Sequence, residues 1–152
     1  MTPTTSVTGT ATVVTGRIQF NTKGDADMVN LTADVRRIVT DSGLTAGAVT
    51  VFFPGATGAI TTLEFEPGVV KDFANMFDRI ISPEWHYEHN VTHPDHNGHA
   101  HVRAGLLGPS LTFPIENKEM LLGRWQEICF VCFDNRPRER TVVVQILGVC
   151  AA

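Results

Sequence analysis

Gln126-Glu127-Ile128-Cys129-Phe130-Val131-Cys132-Phe133-Asp134-Asn135-Arg136-Pro137-Arg138-Glu139-Arg140-Thr141-Val142-Val143-Val144-Gln145-Ile146-Leu147-Gly148 is the stretch whose reading decides the fold. Two apolar runs rich in β-branched and aromatic residues flank a polar group of turn formers. This predicts strands over 126–133 and 138–148 meeting at a solvated hairpin turn, with Asp134 and Glu139 beside its arginines. Thr141 to Leu147 is apolar on both faces apart from Gln145, as in a central strand covered on both sides. Cys129 and Cys132 have the spacing of a redox pair. In a strand their thiols point to opposite faces, so buried structural cysteine is the expectation.

Upstream, 110–115 and 120–123 read as strands around a turn at Glu116-Asn117-Lys118. Ala11 to Asn21 alternates and reads as the first strand, and 48–53 and 58–66 read as a pair split by Pro54-Gly55. In the second of these Glu64 shares a face with Ile60, and would be a buried carboxylate in need of a partner if that face is the inner one. Met28, Leu31, Val35, Ile38 and Val39 recur at helical spacing, with Asp25, Asp27 or Asn30 to cap and Gly43 to stop. Pro67 opens a second helix that Ser82-Pro83 ends. Asn97 to Gly108 favours a third helix ending at Gly108-Pro109; a strand there would instead put His99 and His101 on one face. Residues 1–10 read as a flexible N-terminal segment and 11–150 as one α+β domain.

Composition narrows the function. A chain of 152 residues with net charge −4 has room for a full core and lacks the basic excess of a nucleic-acid binder. Its apolar runs are far shorter than a bilayer span, which argues against membrane insertion. Three cysteines make no disulfide scaffold, so a cytoplasmic setting is expected.

All six histidines fall between His86 and His101. Imidazole binds divalent metals and carries protons near neutral pH. His89, His99 and His101 are the candidate ligands, with water in an open position and zinc as the first metal; His86, His93 and His96 read more as solvated loop residues. Sharing a metal between His99 and His101 is easy from a strand, whereas from mid-helix they lie roughly 200° apart. Glu64 or Glu88 is the candidate acid/base or further ligand. Arg103, close to these histidines, is the candidate clamp for an anionic, phosphorylated small molecule. No P-loop or dinucleotide glycine pattern is present.

Asn97-Gly98-His99-Ala100-His101-Val102-Arg103-Ala104-Gly105-Leu106-Leu107-Gly108-Pro109-Ser110, followed by Leu122-Gly123-Arg124-Trp125-Gln126 and Arg140-Thr141-Val142-Val143-Val144-Gln145, resembles the YjbQ family, also called UPF0047. Ile60-Thr61-Thr62-Leu63-Glu64, Glu66-Pro67-Gly68 and Tyr87-Glu88-His89 share the resemblance, which runs from about Ala11 to Gly148. It implies a small sandwich of mainly antiparallel sheet with two or three helices. It also implies a homotrimer, a His-lined metal site near subunit boundaries, and a weak transferase activity of the thiamine-phosphate-synthase kind. Many members carry a histidine where this chain has Gly55, so the resemblance equally admits a non-catalytic ligand-binding or structural trimer.

Overall fold

The structure is a computed structural model that describes residues 8–150. The expected loose segment 1–10 lies outside the described residues apart from 8–10, which precede the first strand. Eight strands and four helices follow in chain order: β1 (Thr12–Thr22), β2 (Asp27–Asn30), α1 (Thr32–Asp41), β3 (Ala46–Phe52), β4 (Gly58–Leu63), α2 (Pro67–Ile80), α3 (Glu88–Thr92), α4 (Gly98–Leu107), β5 (Ser110–Glu116), β6 (Glu119–Met120), β7 (Glu127–Cys132) and β8 (Arg138–Val149). They form an antiparallel five-stranded sheet, β1-β8-β3-β5-β6, and an antiparallel three-stranded sheet, β2-β7-β4.

The two sheets enclose the main core. Val49, Val51, Phe113, Val142, Val144 and Ile146 from the larger sheet meet Ile60, Ile128 and Phe130 from the smaller, with Leu31, Val35 and Val39 closing one side. Phe130 packs edge-on to Phe20 and Phe53, with ring centroids 5.2 and 4.7 Å apart. On the far side of the smaller sheet, Ala59, Val131 and Phe133 pack on Phe77 and Ile81 and on Ala100 and Ala104 of α4. The order is therefore large sheet, core, small sheet, helices.

Two expected hairpins are instead arches between the sheets. β3 and β4 do not pair, since β3 lies between β8 and β5 while β4 pairs with β7; β7 and β8 likewise belong to different sheets. β1 and β2 are split in the same way. A turn signal reports a reversal of direction and is silent on whether the next strand pairs or crosses the core. The strand covered on both faces is accordingly β7, not β8: Ile128 through Cys132 are all buried. β8 is central, but only alternate residues from Arg140 to Gly148 are buried.

The helix expected from Met28 begins later. Met28 and Val29 pair with Val131 and Phe130 as β2, and Asn30 Oδ1 accepts from the Thr32 N–H at 2.9 Å to start α1. Gly43 stops it at φ +71°. The turn between β5 and β6 has Asn117 and Lys118 both at positive φ, as a two-residue hairpin loop requires.

All three arches meet at Asp134, which is not solvated but 1% exposed. Its Oδ2 accepts from Arg138 Nε at 2.8 Å and Thr57 Oγ1 at 3.3 Å, and Arg140 stands at 3.6 Å. Its backbone carbonyl accepts from Asp25 N–H at 2.7 Å. Gly24 (φ +98°) lies so close to that carbonyl that a Cβ there would sit 2.7 Å from it. Burial pushes the Asp134 carboxyl up, but the hydrogen bonds from Arg138 and Asn97, the Arg138 charge and the Asn135 N–H together hold it below its ordinary value.

A carboxyl whose folded-state pKa is depressed contributes stability above its unfolded pKa and loses it as pH falls through the folded one. Asp134→Asn should therefore cost about 3–5 kcal/mol at neutral pH, because it leaves buried Arg140 short of a counter-charge. The loss should narrow as pH falls below about 4, where the carboxyl of the unfolded chain takes up its proton while the native one still resists it. Urea unfolding across that pH range measures both effects; equal stability of variant and parent at pH 7 would remove Asp134 from this role.

Candidate metal centre

The histidine stretch folds as two helices joined by a tight loop. α4 begins at Gly98, where a Cβ would stand 2.6 Å from that of Tyr87, and Gly98 N–H donates to Asn90 Oδ1 at 2.9 Å. The helix ends at Gly108 with φ +96°. Helical geometry sends His99 and His101 to opposite sides.

His101 turns toward α3. Its ring stands 4.6 Å from that of His89, at an interplanar angle of 61°, and the His93 ring stacks on His89 at 4.6 Å. His89 Nε2 lies 3.2 Å from Asp95 Oδ1 and 3.1 Å from Asn97 Oδ1. His89, Asp95 and His101 offer ligand atoms all within 4.8 Å of one another, each side chain half-buried. The backbone carbonyl of Asp95 is held by Asn135 Nδ2 at 2.8 Å, so the β7–β8 arch fixes this loop from outside it.

His99 is not brought to this cluster. It is buried beside Tyr87, with its Nδ1 unpartnered among the described residues. Burial and then the nearby Arg103 charge push its imidazole toward the neutral form, against a partial pull from Asp25, Asp134 and Asp78. Asp95 stands beside His89 and His101 where His99 was expected. Its sequence signal was slight: a carboxylate in the same short polar loop, between His93 and His96.

Arg103 is likewise engaged elsewhere. It is 3% exposed, donates from Nε and an Nη to the Ile81 carbonyl at 3.0 and 2.7 Å, and pairs with Asp78 at 2.9 Å. It therefore clamps α4 to the end of α2 and presents no open guanidinium to an anion. Glu64 is exposed just past the end of β4, in a groove with Phe65, Trp125 and Glu127. The other end of that strand, Gly58, borders the cavity beside His101, so Glu64 stands ~20 Å along the strand from it.

Glu88 is exposed and pairs with His86 at 3.1 Å. His93 and His96 are also exposed, the former bonded to Thr92 at 3.0 Å. Cys129 is inert: burial, with the Glu127 charge, pushes its thiol up to about 12 against the pull of a Leu63 backbone bond.

Gly55 borders the same cavity as His101, about 360 Å³ in volume and walled mainly by Ala56, Gly58, Ala104 and Gly105. A Cβ at Gly55 would stand 2.4 Å from the Phe53 ring, so a histidine would not fit there without moving that ring.

The comparisons agree with this architecture. Residues 16–149 match the family model described as UPF0047 protein YjbQ-like. The chain is 32% identical to UPF0047 protein YugU of Bacillus subtilis (strain 168), covering 86% of this chain and 97% of that one. It is 33% identical to a UPF0047 protein of Methanothermobacter thermautotrophicus, covering 90% and 93%. Among solved structures, a YbjQ-like protein of unknown function from Sulfolobus solfataricus P2 superposes with a TM-score of 0.87 at 32% identity, over 91% of this chain and 99% of that one. An uncharacterised YjbQ/UPF0047 protein from Clostridium acetobutylicum does so with a TM-score of 0.75 at 34% identity, covering 85% and 98%. With a family match over most of its length and the fold of its solved relatives, this chain belongs to the YjbQ/UPF0047 family.

Proposed function

We propose that this chain is a divalent-metal protein centred on His89, Asp95 and His101, with zinc as the first metal, and that it holds a small phosphorylated molecule there. The convergence of those three side chains carries the reading. Two imidazoles and a carboxylate are a fitting donor set for borderline first-row metals, and three such ligands leave a position open. When bound, a divalent ion supplies Lewis-acid stabilisation of phosphate charge. That charge has no other partner of the kind expected, since Arg103 is buried against Ile81 and Asp78. The cavity bordered by His101 gives the rest of the ligand room.

A second reading adds turnover: a transferase of the thiamine-phosphate-synthase kind, joining a pyrimidine diphosphate to a thiazole phosphate. The same cavity supports it. Glu64 at the far end of β4 and Arg103 in its clamp leave both expected catalytic groups away from the centre, which favours holding over turnover.

The assembly in this reading is a homotrimer, in a cytoplasmic setting that its free cysteines suit. Among the described residues no helix is long and apolar enough to cross a membrane. The outer face of the large sheet supports self-association. Val13, Leu147, Ala48 and Pro114 form an apolar row across four strands, with Val13 59% and Leu147 56% exposed. Such a row is unusual on a face that stays in water.

Three outcomes are expected. Zinc titration followed by calorimetry should find one site per chain, weakened more than ~100-fold by His101→Ala, since ligand loss exceeds the effect of losing an outer partner; unchanged affinity in the variant would overturn the centre. Metal-loaded protein given the pyrimidine diphosphate and thiazole phosphate should bind phosphate without coupling them. Product formation abolished by His101→Ala would establish the transferase instead. Leu147→Glu should convert trimers to monomers in sedimentation-velocity runs, and an unaltered sedimentation coefficient would sink the proposed interface.

A further inference from the structure

Asn97 is buried at 2% exposure and stands at the N-cap of α4, yet its side chain makes no cap bond to the helix. At α2 the capping residue behaves in the ordinary way, with Glu66 accepting from Gly68 and Val69. The Asn97 amide is instead stretched between two other groups. Its Nδ2 donates to Asp134 Oδ1 at 3.4 Å, and its Oδ1 lies 3.1 Å from His89 Nε2. That orientation is forced, because an ionised carboxylate only accepts and so the NH₂ end must face Asp134. The carbonyl oxygen is thereby aimed at the histidine cluster.

We propose that Asn97 Oδ1 is a further protein donor to the divalent ion, with Asp134 as the residue that positions it. This rests on the metal reading of His89, Asp95 and His101. Two oxygens converge on one imidazole nitrogen: Asp95 Oδ1 at 3.2 Å and Asn97 Oδ1 at 3.1 Å. Donors bound at about 2.0–2.2 Å to a small divalent ion stand ~3.0–3.4 Å from their neighbours, so both separations are those of adjacent ligands. An N–H can serve two acceptors only by dividing itself between them, whereas a cation among three lone pairs uses each of them fully.

The donor set then comprises two neutral imidazoles, one carboxylate and one neutral amide oxygen. A divalent ion there carries a net charge of about +1, which suits an anionic ligand entering as a fifth donor. Pairing two oxygens with two imidazoles also broadens the fitting metals from zinc toward cobalt and manganese.

Cobalt tests the proposal in two independent ways. In full-length protein, Asn97→Ala should bind cobalt about 10- to 100-fold more weakly, with a changed visible absorption spectrum as one donor is lost. Melting curves of the metal-free proteins check that the variant is folded. Independently of any variant, anomalous scattering from a crystal of the cobalt-loaded parent should place Asn97 Oδ1 within about 2.3 Å of the ion. If cobalt sits on His89, Asp95 and His101 with Asn97 Oδ1 beyond about 3 Å, the metal reading stands and this proposal falls. If the parent takes up no cobalt or zinc, both fall.

Discussion

Much of this structure depends on one buried carboxylate. Asp134 is 1% exposed, and a charge so placed is tolerated only where hydrogen bonds and counter-charges replace water. Arg138, Thr57, Asn97 and its neighbour's N–H supply the bonds, and Arg140 stands behind them with its guanidinium over the rings of Phe53 and Phe130. Thr57 and Asn97 reach the carboxylate from distant parts of the chain and the Asp25 N–H bonds the Asp134 backbone carbonyl, so this one residue brings the β1–β2, β3–β4 and β7–β8 arches together at one edge of the sandwich. Arg140 also reaches Cys132 Sγ at 3.0 Å, which extends the polar cluster into the space between the sheets.

The same cluster reaches the candidate metal centre. Asn97 leads from Asp134 to His89, and Asn135 holds the loop that carries Asp95. At the other end of the stretch, Arg103 ties α4 to the Ile81 carbonyl. α4 is thus anchored at both ends, and the direction of His101 follows from packing that does not involve His101. A short helix such as α3 has little stability of its own; here it is held by Tyr87, whose hydroxyl donates to the Ser82 carbonyl at 2.6 Å, and by Asn90 at the start of α4. Such outside support is what keeps ligating side chains in register.

The site was partly legible in the sequence. The crowding of histidines, the helix over 97–108 and the angular separation of His99 from His101 all follow from local pattern and helical geometry. Asp95 was not legible, because a carboxylate in a polar loop looks the same whether solvated or aimed inward. The engagement of Arg103 was hidden for a related reason: its nearness in sequence to His101 says nothing about which side of α4 it occupies, and its guanidinium bonds the end of α2. Glu64 had the alternation of a strand residue, but the strand ends one residue before it, and it stays in solvent.

By itself, the sequence determined where most of the strands and helices lie, β2 and α3 excepted, because alternation, helical spacing and turn residues act within a few residues of one another. It also determined that the thiols of Cys129 and Cys132 part to opposite faces of one strand. Only the tertiary structure decided which strands pair, that the reversals at 53–58 and 134–137 cross the core instead of forming hairpins, and that β7 rather than β8 is covered on both sides. These outcomes turn on contacts between distant residues, such as Thr57 with Asp134 and Asp25 with the Asp134 carbonyl, whose energies appear only once the chain has folded.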